Sequence, residues 1–394
     1  MDRGILVLNS GSSSLKFSLY RETGDGPAAV AEGEIGGMMT SPRFSAYRAD
    51  GVNVEGNSWA APIDADTGFR FVLGWVGQTF ADVRLVAAGH RLVQGGTRYP
   101  APTLVDDEAL TYLDSLSMLE PQHQPPEVDG IRAIWRIHPD LPQVAVFDTS
   151  FHRTMPETAQ LYAVPKSVRE QGVRHWGYHG ISYDYINRTL PKHDPEARRV
   201  IVGHLGSGAS MCAILDGKSI ATTMGFSGIE GLPMGTRCGA IDAGALLYLL
   251  RRKLYDDASL QRLLYEESGL IGLSGISNDV RTLLASPASE AKQAIDYFVY
   301  WIVYFAGAYA ALLGGLDAIV FTAGIGENAA PIRAAVCQRL SWLGLELNEA
   351  ANAAHGPLIS TKTSKVRAWV IPTNEEIMIA RHTLALVDAQ RIAA

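Results

Sequence analysis

The 394-residue chain has little cysteine, no run of basic residues and no long hydrophobic segment near its start. Its three cysteines, Cys212, Cys238 and Cys337, are too few and too scattered for a disulfide framework or a zinc site. The formal net charge of −7 argues against a nucleic-acid-binding surface. The apolar run after Met1-Asp-Arg-Gly is only four residues long, so no signal peptide is predicted. These absences favour a soluble, cytoplasmic protein with reduced thiols.

One segment is long and apolar enough to need separate consideration. Residues 297–316 contain no charged side chain, and the segment is long enough to cross a bilayer as a helix. Its tyrosines and tryptophan are spread along the segment, whereas membrane-spanning helices gather such residues at their two ends. The pattern therefore predicts a long helix buried between domains, and no membrane association.

The start of the chain contains a loop of small polar residues between two apolar runs. Ile5 to Leu8 and Leu15 to Tyr20 are predicted strands, and Asn9-Ser-Gly-Ser-Ser-Ser14 connects them. Such a turn allows backbone N–H groups and hydroxyls to converge on an anion, and Lys16 adds a positive charge. The alternative is an ordinary Gly/Ser hairpin, and this stretch alone does not decide between them.

The same pattern returns in the second half of the chain. Residues 200–217 again form an apolar run, a Gly/Ser turn and a second apolar run, followed by Asp216-Gly217 as a hairpin turn. The repeat predicts a duplicated α/β protein with phosphates bound in a cleft between two domains, by analogy with the actin, hexokinase and chaperone ATPases. The length also suggests two domains. We expect residues 1–149 with 380–394 to form the first domain and residues 150–379 the second.

Further candidate residues follow predicted strands. Arg91 lies in a loop after the strand 83–88, and Asp148 follows the strand 144–147. Ligands bind beyond the carboxyl ends of strands in open α/β sheets, so both are candidate site residues. The segment 323–328 reads as a glycine turn between a strand and a helix, which favours close approach to a nucleotide. Ser277 or Asn278 is the expected cap of another helix.

Taken together, these stretches resemble the acetate and propionate kinase family. The similar segments occur in the family's order along nearly the whole chain, at residues 9–16, 90–96, 146–152, 179–180, 204–208, 234–238, 277–281, 324–328 and 372–376. The resemblance implies the two-domain sugar-kinase and actin architecture and reversible, ATP-dependent phosphorylation of acetate or another short-chain carboxylate to acyl phosphate and ADP. It also implies Mg²⁺ (or Mn²⁺) as metal, ATP/ADP as co-substrate and a homodimer.

The expected chemistry is charge neutralisation. A carboxylate acceptor is already ionised at neutral pH, so catalysis consists of bringing two anions together, for which arginine is well suited. By the resemblance, Arg91 holds the substrate carboxylate, and Arg237 with His179 steadies the transferring phosphoryl group. Asp148 is the catalytic acidic residue, which orients magnesium and substrate.

The resemblance also assigns the metal and nucleotide contacts. Asn9 and Glu375 occupy the metal positions, a pair of hard oxygen ligands suited to magnesium. The ATP-contacting residues are Lys16, His204, Leu205, Gly206, Ser207, Gly208, Asp279, Val280, Arg281, Gly324, Ile325, Gly326, Glu327 and Asn328.

Several positions depart from the family pattern. Ser207 replaces a usual asparagine, and Cys238-Gly-Ala240 replaces Ser-Gly-Asp. Around the acyl group Val93 is retained, but Gln122, Tyr178 and Gly228 stand where leucine, phenylalanine and proline are usual. A buried amide without a partner costs about 1–3 kcal/mol, so these changes suggest a more polar pocket that accepts propionate or a small hydroxy or keto acid. The alternative is that Gln122 faces solvent and the protein is an ordinary acetate kinase.

Two other functional classes remain open at this point. One is an ATPase or sugar kinase of the same fold, although the Arg91 and Asp148 loops are not general features of those proteins. The other is a non-catalytic, regulatory binding protein, against which the intact Asn9, His179 and Glu375 argue.

Overall fold

A computed structural model describes residues 1–11 and 13–393 of the chain. The described chain forms two compact units, Met1–Ser150 with Asn374–Ala394, and Phe151–Thr373. Residues 374–379, which the domain prediction assigns to the second domain, belong to the first unit in this division.

The first unit is built on an eight-stranded sheet with the strand order β5-β4-β3-β2-β1-β6-β8-β7. The strands are β1 Asp2–Ser10, β2 Leu15–Thr23, β3 Gly26–Gly36, β4 Arg43–Arg48, β5 Asn53–Ser58, β6 Val83–Leu92, β7 Thr103–Leu104 and β8 Gln143–Phe147. Its longer helices are α1 Ala65–Thr79, α2 Asp107–Ser115, α3 Gln124–Ile137 and the last helix of the chain, α15 Glu375–Ala393.

Local sequence features explain where the helices of this unit begin and how they pack. Asp64 caps α1, because its carboxylate accepts the Thr67 N–H at 2.8 Å. Helix α15 packs against β6 at Gly89, where an added Cβ would lie 2.3 Å from the Thr383 hydroxyl oxygen. Only glycine allows this close approach, which fixes α15 on the strand that carries Arg91.

The second unit contains a five-stranded sheet with the order β11-β10-β9-β12-β13. Its strands are β9 Arg199–Leu205, β10 Ala209–Leu215, β11 Lys218–Thr222, β12 Ala318–Thr322 and β13 Arg367–Val370. Its helices are α4 Glu157–Gln160, α5 Lys166–Arg169, α6 Gly180–Thr189, α7 Ala243–Arg251, α8 Asp257–Glu266, α9 Gly269–Ser274, α10 Val280–Ala285, α11 Ser289–Leu312, α12 Ala323–Asn328, α13 Ala330–Arg339 and α14 Glu349–Ala353.

The two sheets share one five-stranded pattern. In the first unit β1 pairs antiparallel with β2 and parallel with β6, and β6 pairs parallel with β8. In the second unit β9 pairs antiparallel with β10 and parallel with β12, and β12 pairs parallel with β13. Each sheet continues beyond its hairpin with another antiparallel strand, β3 or β11. The predicted duplication of an α/β unit is therefore confirmed.

Three local predictions need correction. Strand β6 extends to Leu92, so Arg91 lies within the strand and not in a loop after it. The segment predicted as a glycine turn is itself the short helix α12. The cap of α10 is Asp279, whose carboxylate accepts the Arg281 N–H at 2.8 Å, and not Ser277 or Asn278.

The long apolar segment forms α11, as predicted, but the helix is not wholly buried. By length and composition it is the one helix among the described residues that is long and apolar enough to cross a membrane. Of its most apolar 18-residue stretch, 33% is buried. Tyr300 and Tyr304 are each 54% exposed.

Candidate active site

The first unit brings Arg91 to a buried carboxylate through the pairing of two parallel strands. Strands β6 and β8 align Arg91 with Val146 and Leu92 with Phe147, and the Asp148 N–H donates to the Leu92 carbonyl at 2.9 Å. The Arg91 Nη2 donates to Asp148 Oδ2 at 2.6 Å, and Asp148 is 1% exposed. This charge-assisted bond holds the guanidinium at the carboxyl edge of the sheet.

Two further carboxylates surround Arg91. Arg91 Nε lies 3.7 Å from Glu375 Oε2, at the first residue of α15. Burial raises the pKa of Glu375 and of Glu127, and the positive charge of Arg91 opposes both increases. Burial also disfavours the charge on Arg91, but Asp148, Glu375 and Glu127 outweigh it and hold the pKa of Arg91 above its usual value. Arg91 therefore stays cationic and still exposes 18% of its side chain.

Glu127 is a site residue that the sequence analysis missed. Its Oε2 accepts the backbone N–H of Val93 at 2.8 Å, so it fixes the predicted acyl-pocket residue as well as the charge beside Arg91. Glu127 lies in the first turns of α3, where the sequence offers only an ordinary helix-start acid as a signal.

The two glutamines beside α3 have different environments. Gln122 is half-buried in the turn that precedes the helix. Gln124, two residues later, is fully buried and binds the Gln94 backbone on both sides, accepting its N–H at 3.1 Å and donating to its carbonyl at 3.2 Å. The fully buried side-chain amide here is thus that of Gln124, and it has hydrogen-bond partners. Gln122, to which the acyl-pocket prediction refers, is only half-buried.

The first polar loop joins β1 to β2. Asn9 and Lys16 face each other across the antiparallel pair, and the Gly11 N–H donates to the Ser14 carbonyl at 2.9 Å. Ser12 of this predicted loop lies outside the described residues. Lys16 lowers the pKa of Glu375, although burial and Arg91 affect that pKa more. The lysine therefore interacts electrostatically with the start of α15.

The side chains of this unit that are predicted to hold or orient a metal suit magnesium in their chemistry. Asn9, Asp148 and Glu375 offer amide and carboxylate oxygens, which Mg²⁺ prefers. Among the described residues, no group of three His, Cys, Asp or Glu side chains is arranged to hold a metal. Such a donor set suits an ion that keeps several water molecules and substrate phosphates as ligands.

The second unit holds His179 in an unusual backbone conformation. His179 precedes α6 with φ of 57°, a left-handed conformation that is uncommon outside glycine. Its Nδ1 lies 2.8 Å from Ser210 Oγ, and its ring stacks on His204 with the centroids 4.1 Å apart. His204 in turn places Nδ1 2.9 Å from Ser182 Oγ. These contacts fix both imidazole rings next to the polar loop 206–208.

Arg237 and the acyl-pocket candidates of this unit meet on the loop that contains Gly228. Arg237 Nη1 donates to the Gly228 carbonyl at 3.0 Å, and an added Cβ at Gly228 would lie 3.0 Å from the same nitrogen. Tyr178 is buried, and its hydroxyl donates to the Phe226 carbonyl at 2.8 Å. In this structure the Tyr178 hydroxyl proton is thus bound by the protein and is not free to bind a polar group on a substrate. This contact counts against the more polar pocket that the sequence suggested.

His179 and Arg237 approach the same point of the polar loop. A Cβ added to Gly208 would lie 3.5 Å from His179 Nε2 and 3.9 Å from Arg237 Nη1. A glycine at this position leaves the backbone open between an imidazole and a guanidinium. The arrangement can hold an anion with three oxygens, such as a phosphoryl group.

A cavity of about 690 Å³ lies within the second unit. This volume is typical of a small-molecule site. Its lining includes ten residues named from the sequence as site residues: Gly206, Ser207, Gly208, Arg237, Asp279, Val280, Arg281, Gly324, Ile325 and Asn328. Gly235, Thr236, Asn278, Leu284, Ala329 and Pro331 complete the lining and were not named as site residues.

Four residues of this unit that are predicted to contact ATP are not part of the lining, namely His204, Leu205, Gly326 and Glu327. The Glu327 side chain instead accepts the Thr373 N–H at 3.1 Å. Both Gly326 and Glu327 offer their carbonyl oxygens to Arg333 Nη1, at 2.9 and 2.8 Å. Arg333 is fully buried and was not identified from the sequence. The remaining predicted ATP contact, Lys16, belongs to the first unit.

Comparisons with known proteins identify the family of this chain. The chain matches the model of the acetokinase family over residues 4–381. It is 48% identical to an acetate kinase of Rhodopseudomonas palustris, covering 98% of this chain and 99% of that protein. An acetate kinase of Methylocella silvestris is 46% identical, with both chains covered in full.

Solved structures give the same result. A propionate kinase from Francisella tularensis superposes with a TM-score of 0.91 at 35% identity, covering 97% of this chain and 99% of the other. An acetate kinase from Porphyromonas gingivalis gives a TM-score of 0.88 at 32% identity, covering 98% and 100%.

Proposed function

Because the chain belongs to the acetokinase family, we propose that it transfers the γ-phosphoryl group of ATP to acetate, reversibly forming acetyl phosphate and ADP. The observation that carries this function is the Arg91 guanidinium, held by Asp148 at 2.6 Å and by Glu375 at 3.7 Å, yet still 18% exposed. A cation that is fixed and partly open can bind a small carboxylate with little further ordering.

The first unit supplies the groups for the acid and the metal. Arg91 binds and orients the acetate carboxylate, which attacks phosphorus as an oxygen nucleophile and needs no general base. Asp148 fixes the guanidinium and helps to orient the metal and the acid. Asn9 and Glu375 would hold Mg²⁺ (or Mn²⁺), which would supply neutralisation of phosphate charge.

The second unit supplies the groups for the nucleotide and the transferring phosphoryl group. The adenine nucleotide occupies the 690 Å³ cavity, with the loop 206–208 and the segment 324–328 against its phosphates and base. Arg237 and His179 stabilise the negative charge on the equatorial oxygens during transfer. Their positions beside Gly208 support these roles.

Acetate is the acid that the local contacts favour. The Tyr178 hydroxyl donates to Phe226, and the Gly228 carbonyl is occupied by Arg237, so two of the three unusual pocket residues have polar partners within the protein. Gln122 is half-buried, which leaves part of its surface open to solvent. These contacts support an ordinary acetate kinase over a pocket that demands a polar substrate.

Propionate is the second candidate acid, because the structure that superposes at a TM-score of 0.91 is a propionate kinase. One methylene in an apolar pocket changes specificity by about 10- to 200-fold. We expect acetate to be preferred, with propionate as a slower substrate.

A hydroxamate assay tests the reaction and the acid together. Hydroxylamine captures acyl phosphate, so acetate, propionate, glycolate, lactate and pyruvate are compared at matched concentrations with ATP and Mg²⁺. Acetyl hydroxamate formation supports the proposal. ATP hydrolysis without hydroxamate would indicate an ATPase, and ATP binding without turnover would indicate a regulatory protein. A kcat/KM for any hydroxy or keto acid equal to that for acetate would restore the polar-pocket hypothesis.

A homodimer in the cytoplasm completes the proposal. The structure describes every residue of α7, and none of them is buried, although the helix contains four leucines and a tyrosine. Leu247 is 49% and Tyr248 56% exposed, and Tyr300 and Tyr304 of α11 are similarly open. Exposed apolar surface of this kind supports association with a second copy of the chain. Sedimentation or light scattering measures the assembly.

A further inference from the structure

A cluster of three half-buried polar side chains lies in the second unit outside the residues proposed for catalysis. It consists of Tyr162, His175 and Glu230. The Tyr162 hydroxyl donates to Glu230 Oε2 and accepts the backbone N–H of Phe226 at 3.0 Å. The His175 ring stacks on Tyr162 with centroids 4.0 Å apart. The hydroxyl thus uses its single proton and one lone pair at once.

The cluster is packed tightly around one end of the loop 225–231. A Cβ added to Gly225 would lie 1.9 Å from Glu230 Oε2, 2.3 Å from the Tyr162 hydroxyl oxygen and 2.8 Å from His175 Nδ1. The Gly225 carbonyl also accepts the Trp176 N–H at 2.9 Å. Only glycine permits the backbone to approach the three side chains this closely, so the path of the loop is set by the cluster.

Two carbonyl groups of the same loop accept hydrogen bonds from proposed site residues. Phe226, whose N–H is bound by Tyr162, offers its carbonyl to the Tyr178 hydroxyl at 2.8 Å. Two residues later, Gly228 offers its carbonyl to Arg237 Nη1 at 3.0 Å. A short chain of hydrogen bonds therefore leads from Glu230 through Tyr162 and the loop backbone to the acyl-pocket tyrosine and the arginine.

We propose that Tyr162 and Glu230 are positioning residues for phosphoryl transfer, which act on Arg237 and Tyr178 through the loop 225–231. The proposal rests on the function proposed above. Arg237 must be held where negative charge develops, and a misplacement of about 1 Å that is caused by a mutation far from the chemistry can reduce the rate about 100-fold. Tyr162 supplies this precision by fixing the loop backbone at Phe226, the residue that binds Tyr178 and lies two positions before Gly228.

The protonation states of Tyr162 and His175 preserve the hydrogen bonds of the cluster at neutral pH. Burial and the neighbouring Glu230 raise the pKa of Tyr162, so its hydroxyl remains a donor. Burial lowers the pKa of His175, which Glu230 opposes, so the stacked ring is uncharged at neutral pH. Tyr309 also interacts electrostatically with Glu230.

The first test removes the Tyr162 hydroxyl while keeping the ring. In Tyr162→Phe the stack on His175 remains, but the Phe226 N–H and Glu230 lose their partner. We expect kcat to fall roughly 10- to 100-fold and KM for acetate to rise. The dissociation constant for ATP should stay within about twofold of the wild-type value, because the cavity lining includes neither Tyr162 nor any residue of the loop 225–231. Tyr185→Phe, a half-buried tyrosine packed on the core of the same unit, is the matched control and should behave as wild type.

The second test separates positioning from general structural support. Glu230→Gln retains an oxygen that accepts from the Tyr162 hydroxyl and should keep most of the activity, whereas Glu230→Ala should resemble Tyr162→Phe. The double variant Tyr162→Phe/Glu230→Ala should be no worse than either single variant, because both break the same chain. Additive losses in the double variant would contradict the proposal.

Hydrogen exchange provides a readout that does not depend on activity. Backbone amides of residues 225–231 should exchange faster in Tyr162→Phe than in wild type, with α10 and β9 unchanged as internal references. If wild type forms no acyl phosphate, the proposed function fails, while the exchange result still decides whether Tyr162 holds the loop. Normal kcat, or unchanged loop protection, in a folded Tyr162→Phe variant would overturn the inference.

Discussion

Replacing Arg91 with methionine removes the guanidinium that the structure places among Asp148, Glu375 and Glu127 while keeping most of the side-chain volume. We expect acyl-phosphate formation to fall about 10³-fold or more, as for other arginines that neutralise reacting anions. The variant should also lose stability. Asp148 is 1% exposed and bonded to Arg91 at 2.6 Å, and breaking a buried ion pair costs about 3–5 kcal/mol. This is a large part of the roughly 5–15 kcal/mol that is typical of folded proteins.

The stability deficit should depend on pH in a definite direction. Burial raises the pKa of Glu375 and Glu127, and Arg91 limits that rise. Without Arg91 both folded-state pKa values rise further above the unfolded value. A carboxyl group with a raised folded-state pKa contributes stability that is complete below its unfolded pKa, about 4.3, and is lost as the pH increases. The deficit of Arg91→Met should therefore be small near pH 4 and increase towards pH 7.

Urea unfolding followed by tryptophan fluorescence at several pH values measures this deficit, and the hydroxamate assay measures activity. The double variant Arg91→Met/Asp148→Asn removes both charges and should recover much of the stability but none of the activity. Arg132→Met is a control, since this arginine forms surface pairs with Asp114 and Asp129 that are worth about 0–1 kcal/mol. If Arg91→Met unfolds within about 1 kcal/mol of wild type at pH 7, the guanidinium does not hold this cluster together.

Three further predictions concern the second unit, the phosphoryl donor and the acid stability. Gly228→Ala places a methyl group 3.0 Å from Arg237 Nη1, so we expect kcat to fall about tenfold or more; unchanged steady-state kinetics would remove Gly228 from the account. We expect ATP and not pyrophosphate as phosphoryl donor, because the cavity of about 690 Å³ accommodates a nucleotide; comparable hydroxamate formation with pyrophosphate and none with ATP would contradict this. Burial lowers the pKa of His90 and His152 to about 4. A depressed histidine pKa contributes stability that is complete above about pH 6.5 and is lost as the pH falls towards 4, by about 1.4 kcal/mol per pH unit for each histidine. The decline in the urea midpoint over this range should be smaller in His90→Gln than in wild type, and equal slopes would show that His90 does not contribute.

The sequence by itself determined the duplicated fold and the class of reaction. Both polar loops could be identified because a strand, a turn of small residues and a second strand are local patterns. The hairpin turn Asp216-Gly217 is an example, since the two residues adopt φ of 49° and 77°, as the turn requires. The family resemblance likewise depends on short segments in order, and 48% identity to an acetate kinase over the chain agrees with it.

The conformation of the glycine-rich segment depended on a side chain that lies outside the segment. Residues 323–328 contain two glycines, which favour a turn, yet they form α12. The buried Arg333 donates to the carbonyl groups of Gly326 and Glu327, which the end of a helix would otherwise leave without partners. Nothing within the segment itself indicates this contact.

Only the tertiary structure decided which side chains meet. Arg91 reaches Asp148 because β6 pairs with β8, more than fifty residues later in the chain, and Glu375 joins them because the last helix packs on Gly89. Tyr178 and Arg237 acquired their partners on the loop 225–231 in the same way. Local patterns fix the conformation of neighbouring residues, whereas the environment of a charge is set by groups that only folding brings within a few ångströms.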